Sequence, residues 1–468
     1  MEKPGILPDH TPDTDPFAPA RGYNFGMPKQ SCDLIITARW VLPMASADQT
    51  LDDGAVAITG DRIEAVGPAA ELDAQWSPAR RLALPEHALL PGLINAHGHA
   101  AMTLLRGVAG DAPLDTWLNE HIWPLERRFV DEAFVRDGTR LAIAEMIRSG
   151  TTCFSDMYFH PEIVAGLARE TGIRAQVAFP VIDFANAWSA SAEDALHKGL
   201  ALHDLYRQDD RVRIAFGPHA PYTVARTHLE KILMYAEELD VNIQIHLHET
   251  AAEVATTRAR LGASWVEILH QTGLLSPRLQ AVHGTQLTPT EIALLARYGV
   301  HLVHCPHSNL KLASGICPTN ALLAAGVNVA LGSDGAASNN SLDLFQEARQ
   351  ASLLAKISSG DARSLPEYRA LELATLGGAR ALAIDAETGS LTPGKSADLI
   401  AVDLSAPRFQ PVYDPMAQLV HTGAGSAVSH VWVGGRALLE EGRLTTIDET
   451  ELRSRVTFWR HRIASVRQ

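Results

Sequence analysis

The sequence predicts an α/β protein: a (β/α)8 barrel of the TIM type with a small β-sandwich domain built from both chain ends. Three observations support this. Through the middle of the chain, short apolar runs alternate with alanine-rich segments of helical period, the pattern of βα units feeding a parallel sheet. Eight such units follow one another, which favours a closed barrel over an open sheet. Strand-like texture with Gly and Asp turns flanks this middle on both sides. The 468 residues, 46% of them apolar, can form one barrel of about 250 residues plus a smaller domain.

Taken in order, residues 1–30 mix Pro, Asp and Gly without apolar periodicity and read as an irregular arm. Residues 31–90 hold short β-type runs at 33–40, 55–59 and 62–66, separated by turns such as Asp53-Gly54 and Gly60-Asp61. Residues 88–99 read as one buried strand ending in His97 and His99. Seven more barrel strands follow at 151–156, 173–180, 213–218, 243–247, 279–283, 301–305 and 327–334, with helices at 131–149, 228–239 and 288–298 among the connections. The barrel thus occupies 91–391. Residues 392–445 return to strand texture at 398–403 and 429–433 and complete the β domain, and 446–468 form a C-terminal helix.

Composition narrows the function. A formal charge of −14, without clustered Lys and Arg, argues against nucleic acid or an anionic membrane as partner. Four cysteines, Cys32, Cys153, Cys305 and Cys317, occur without a C-x-x-C pair, which disfavours thiolate zinc sites and disulfide frameworks. No apolar stretch approaches the roughly 20 residues of a membrane helix, and the N-terminus has no signal-peptide core. These features lead us to expect a cytoplasmic protein, and apolar stretches such as 108–118 suit either a homo-oligomer interface or a cover over substrate.

The candidate chemistry lies at the C-terminal ends of the barrel strands, the face on which barrels build active sites. His97 and His99, two apart, can direct their imidazoles to one point. His246 can supply a third; His248 shares its face and is a rival, with His246 preferred as closer to the rim. Asp334 follows an apolar run that would bury its carboxylate, and a buried carboxylate needs a partner such as a divalent cation. Three imidazoles and a carboxylate suit zinc, or less well ferrous iron, with a position left for water. Glu249 falls on the loop over the pocket, placed to pass a proton to a substrate nitrogen. His283 can polarise the water. Between Ser155 and His246 the only lysines, Lys198 and Lys231, lie in helical patterns. No bridging carboxylated lysine is therefore available on a strand, and one metal per subunit is expected.

The motifs Pro-Gly-Leu-Ile-Asn-Ala-His-Gly-His (91–99), Gly-Pro-His-Ala-Pro-Tyr (217–222), His-Leu-His-Glu-Thr (246–250), Val-His-Gly (282–284) and Gly-Ser-Asp-Gly-Ala-Ala-Ser-Asn-Asn (332–340) resemble the amidohydrolase superfamily. Within it the chain most resembles the 5-methylthioadenosine/S-adenosylhomocysteine deaminase family, from about residue 33 to 439. The resemblance implies that His97, His99, His246 and Asp334 ligate one zinc ion. It also implies that Glu249 protonates the purine N1, that His283 supports the attacking water and that Asp334 is its base. Trp117 matches an aromatic wall, Glu126 a carboxylate for the ribose hydroxyls, and His219 a nucleoside-binding histidine; Trp123 is expected to pack within its helix. Family members that hold a homocysteine carboxylate use arginines after the third strand. Here Arg174 is available but 181–204 has none, so methylthioadenosine or adenosine is expected ahead of S-adenosylhomocysteine. The alternatives are deamination of another ring (guanine, a pterin or a triazine) or a non-catalytic scaffold.

Overall fold

The computed structural model describes Met1, residues 29–47 and residues 49–466; nearly all of the expected N-terminal arm lies outside the described residues. The chain enters through an outer sheet: β1 (Gln30–Val41), β2 (Leu51–Thr59), β3 (Arg62–Pro68) and the long β4 (Trp76–Pro91). The barrel follows with β5 (Leu93–Gly98), β6 (Thr151–Asp156), β7 (Arg174–Val181), β8 (Val212–Pro218), β9 (Ile243–Leu247), β10 (Leu279–His283), β11 (His301–His304) and β12 (Val329–Leu331). The chain then returns to the outer sheet as β13 (Leu399–Asp403), β14 (Val428–Val433), β15 (Arg436–Glu440) and β16 (Arg443–Leu444), and a helix over Glu449–Ala464 ends it.

In the barrel the spatial order of the eight strands is their order in sequence, and their pairings are parallel. The sheet nearly closes: past the end of β12, the Asp334 N–H donates to the His97 carbonyl at 3.1 Å. Beneath it the helix Leu376–Ala381 forms a floor, with Ala379, Ala381 and Leu382 packed on Ile94, Val282, Val303 and Ala330. The expected β domain takes the form of one continuous mixed sheet, ordered β16-β15-β14-β13-β4-β1-β2-β3, in which strands from the two chain ends meet at the β13–β4 pairing.

One difference from the sequence reading matters for the site. Residues 88–99 are two strands, one in each sheet. Pro91 lacks an N–H for the ladder, the Gly92 N–H bonds the Asp398 carbonyl of the outer sheet, and the Leu93 N–H bonds Gly150 of the barrel. Gly92 passes so close to Thr152 that a Cβ would meet its Oγ1 at 2.1 Å, so only glycine makes this step. Strand β4 escaped detection over 76–87 because its residues are largely exposed and carry no clean alternation. The two sheets are also pinned by buried Arg174 on β7, whose Nε donates to Asp398 Oδ2 at 2.5 Å and whose Nη2 donates to Ser396 Oγ at 2.8 Å. All four cysteines are buried thiols. No helix among the described residues is long and apolar enough to cross a membrane.

Candidate active site

At the C-terminal mouth of the barrel the expected donors converge. Asp334 Oδ1 lies 3.2 Å from His99 Nε2 and 3.5 Å from His97 Nε2, and His97 Nε2 lies 3.2 Å from His246 Nε2. The backbone makes this possible by an uncommon route: Asp334 has φ +58° and His283 φ +76°, left-handed values that Asp and His tolerate better than most non-glycine residues. Gly332, two residues before Asp334, runs against β5 so tightly that a Cβ would sit 2.9 Å from that of His97. The other oxygen of Asp334 accepts from Ser308 Oγ at 2.6 Å and Ser338 Oγ at 3.0 Å, so its carboxylate plane is set from behind.

Each imidazole is oriented through its Nδ1. His99 bonds the Met157 carbonyl at 2.6 Å, His246 the His219 carbonyl at 2.6 Å, and His97 the Gln244 Oε1 at 2.8 Å. A carbonyl oxygen only accepts, so each Nδ1 carries the proton and each Nε2 presents a lone pair to the common point. That is the donor state a divalent cation requires. The electrostatics agree for two of the three imidazoles, while His99 must give up an Nε2 proton held by Asp334 as a cation enters. Burial holds His97 and His246 below the ordinary histidine pKa, ready as neutral ligands. For His99 burial works the same way, but the hydrogen bond and charge of Asp334 override it and lift the pKa to about 9. Burial opposes ionisation of Asp334, yet its bonds to His97 and His99 hold it well below the usual carboxylate range. A permanent anion facing converging imidazoles fits a divalent metal. Two overlapping groups have ligand atoms mutually within 4.8 Å: His97, His99 and Asp334, and His97, His246 and His283.

His248, the rival to His246, turns away: its Nδ1 bonds the Gln286 carbonyl at 3.2 Å and its ring lies near Glu291. Lys198 bonds the Trp188 carbonyl and pairs with Asp194, and Lys231 pairs with Glu193, both on helices outside the barrel wall. Arg174 is locked between the sheets and does not line the cavity.

Beside the donors opens a cavity of about 570 Å³. Glu249, His219 and His283 line it, as do Trp117, Glu126 and Tyr158. Burial and the nearby charge of Asp334 push the Glu249 carboxyl up to about 8, and its Oε2 sits 3.7 Å from His283 Nε2. His283 is itself oriented by Asn309, whose Oδ1 accepts from its Nδ1 at 2.8 Å. Burial lowers His219 to about 4, so it is neutral. Glu126 is raised to about 7 by burial, against the opposing hydrogen bond from Tyr158 Oη at 2.6 Å. Trp117 opens a π-helical turn, Trp117–Ile122, and its buried indole N–H has no partner among the described residues. π-Turns widen a helix locally and often mark functional sites. Trp123, expected to pack only within its helix, also lines the cavity, and Leu114 and Leu118 show that the 108–118 stretch contributes to its wall. Sequence reasoning missed Tyr158, Ser308, Asn309 and Gln244. Ser308 and Asn309 follow β11 in a His-Cys-Pro-His-Ser-Asn run that could have flagged them; Tyr158 and Gln244 carry no local signal.

Comparison with known proteins accords with this geometry. The model of the amidohydrolase family matches residues 88–438, and that of an imidazolonepropionase-like composite domain from bacteria matches 54–76. The chain is 48% identical to the 5-methylthioadenosine/S-adenosylhomocysteine deaminase of Teredinibacter turnerae, over 93% of this chain and 98% of that one. It is 44% identical to the Moorella thermoacetica protein of the same name, over 87% of this chain and 95% of the relative. Among solved structures, an adenosine deaminase from Xanthomonas campestris with bound zinc superposes with a TM-score of 0.92 at 46% identity, covering 94% of this chain and 100% of that one. The zinc complex of atrazine chlorohydrolase from Arthrobacter aurescens shares the fold, with a TM-score of 0.85 at 23% identity over 91% of this chain and 99% of that one. The chain belongs to the amidohydrolase family, in its 5-methylthioadenosine/S-adenosylhomocysteine deaminase branch.

Proposed function

We propose that this chain hydrolytically deaminates adenine nucleosides, converting 5′-methylthioadenosine or adenosine to the inosine analogue and ammonia, with one zinc ion per subunit held by His97, His99, His246 and Asp334. The observation that carries the proposal is the convergence of three Nε2 lone pairs and a buried carboxylate beside a cavity of nucleoside size. A zinc ion in such a donor set lowers the pKa of bound water to about 7 and supplies Lewis-acid activation.

The remaining steps fall to the chain's own residues. Glu249, a carboxyl that burial keeps protonated near neutrality, donates its proton to ring N1 as water adds to C6. Asp334 accepts one water proton and passes it to the departing amine; the C6–N bond breaks with release of ammonia, and the proton left on the C6 hydroxyl returns to Glu249 as the carbonyl forms. His283, its Nδ1 tied to Asn309, holds the water oxygen with Nε2. Glu126 receives the ribose hydroxyls, which a carboxylate accepts as a pair. Trp117 covers the purine face, and neutral His219 bonds the nucleoside. The 5′-substituent then faces a largely apolar wall that includes Ile182, Phe184, Ala185 and Ala187. With Arg174 committed to Asp398, this wall suits a methylthio group, and of the described cavity-lining residues only Arg127 offers a guanidinium to a charged amino-acid tail.

A spectrophotometric panel of nucleosides and bases tests the reading through loss of the amino chromophore. Methylthioadenosine and adenosine should turn over ahead of S-adenosylhomocysteine, guanine or a triazine. Removal of zinc should abolish turnover, and activity persisting in verified metal-free enzyme would refute the assignment. Glu126→Ala should impair nucleosides; unchanged turnover would point to a bare ring as substrate.

A further inference from the structure

Three glutamines, Gln176 on β7, Gln244 on β9 and Gln280 on β10, form a fully buried amide chain among the barrel strands. The chain has two fixed ends. Gln280 Nε2 donates to the Ala381 carbonyl of the floor helix at 2.7 Å, and Gln244 Nε2 donates to the Ala96 carbonyl of β5 at 2.9 Å. Because both acceptors are backbone carbonyls, neither amide can exchange its oxygen and nitrogen without opposing two oxygens. The interior bonds then follow: Gln244 Nε2 to Gln280 Oε1 at 2.7 Å, and Gln176 Nε2 to Ser155 Oγ at 2.9 Å and Gln280 Oε1 at 2.8 Å. Gln244 Oε1 is left facing His97 Nδ1 at 2.8 Å.

This settles the proton on His97 from outside the histidine. The fixed oxygen can only accept, so Nδ1 carries the hydrogen and Nε2 the lone pair. The Nδ1 partners of His99 and His246 are main-chain carbonyls, which no substitution removes. Of the three histidines read as metal ligands, His97, the donor common to both convergent groups, alone depends on a side chain. We propose that Gln244 is a positioning residue for the metal centre: anchored through the Ala96 carbonyl, it locks the tautomer and ring plane of His97. The inference rests on the metal reading of the site.

The test reads metal rather than catalysis. Zinc-loaded wild type, Gln244→Leu, Gln244→Glu and Gln280→Leu are challenged with a chromogenic zinc chelator, and thermal melting is followed in parallel. Gln244→Leu should lose zinc affinity by about 10- to 100-fold, as partners of metal-bound histidines typically do. Gln244→Glu keeps an oxygen for His97 Nδ1 while losing donors to its neighbours, so it should melt lower yet hold zinc close to wild type. Gln280→Leu removes an equally buried amide one step from His97, and should lower Tm with little change in zinc affinity. Wild-type zinc retention in Gln244→Leu overturns the proposal. So does a loss in Gln280→Leu as large as in Gln244→Leu, since the amide layer would then act only as core. Should Gln244→Leu fail to fold, a tenfold or greater zinc loss in Gln244→Glu overturns it equally. No substrate enters the assay, so a wrong substrate assignment leaves its outcome unaffected.

Discussion

Glu249 and Glu126 are both carboxyls raised by burial, and the same shift serves opposite ends. Glu249, near 8, is an acid with a proton to give at neutral pH. Glu249→Gln should cut kcat by about 10²- to 10⁴-fold, the usual worth of a positioned general acid, while zinc content stays at the wild-type level; both are measurable on one preparation. Glu126, near 7, is proposed to bind the two ribose hydroxyls as the anion. Its neutral form prevails below that value and has less acceptor capacity. KM for methylthioadenosine should therefore fall as pH rises through about 7, and Glu126→Gln, which cannot ionise, should flatten that dependence.

At the scale of elements, the site depends on how closely the helix Glu132–Arg148 approaches the 3₁₀ turn Ala100–Leu105, which begins immediately after His99. Asp131 caps the helix by accepting from the Phe134 N–H at 2.8 Å, and Thr103 Oγ1 bonds the Gly138 carbonyl at 2.7 Å. A Cβ on Gly138 would meet the Ala101 carbonyl oxygen at 2.4 Å, and main chain cannot swing aside as a side chain can. Gly138→Ala should cost about 1–3 kcal/mol by overpacking, seen as a lower urea midpoint. Displacing the turn behind His99 should also weaken zinc binding although the substitution touches no ligand. The π-helical turn at Trp117–Ile122 plays the complementary part on the cavity side, bringing Trp117 and, just past its end, Trp123 to the wall.

At the scale of the molecule, the buried Arg174–Asp398 pair joins barrel to outer sheet across 224 residues of sequence. Arg174→Met leaves a buried carboxylate with no counter-charge and should destabilise the fold by about 3–5 kcal/mol in chemical denaturation. Asp398→Leu added to it should recover much of that loss, because two apolar groups need no solvation. If the partly unpaired fold remains assembled, the ratio of S-adenosylhomocysteine to methylthioadenosine turnover should not move, since Arg174 lies away from the cavity. A changed ratio would place that guanidinium in substrate recognition after all.

Much of this was legible in the chain. Apolar runs at βα spacing located all eight barrel strands to within a few residues, because a strand buried among neighbours needs continuous apolar side chains whatever its partners. The donor types were legible too, since histidines and an aspartate at strand ends have few bland explanations together. The rest depends on contacts between residues far apart in sequence. Whether His246 or His248 faces the centre, which nitrogen of His97 holds its proton, and whether Arg174 meets substrate or Asp398 are each settled by a partner on or beside another strand. A local pattern records burial and alternation; hydrogen-bond direction and charge pairing exist only once those strands are side by side.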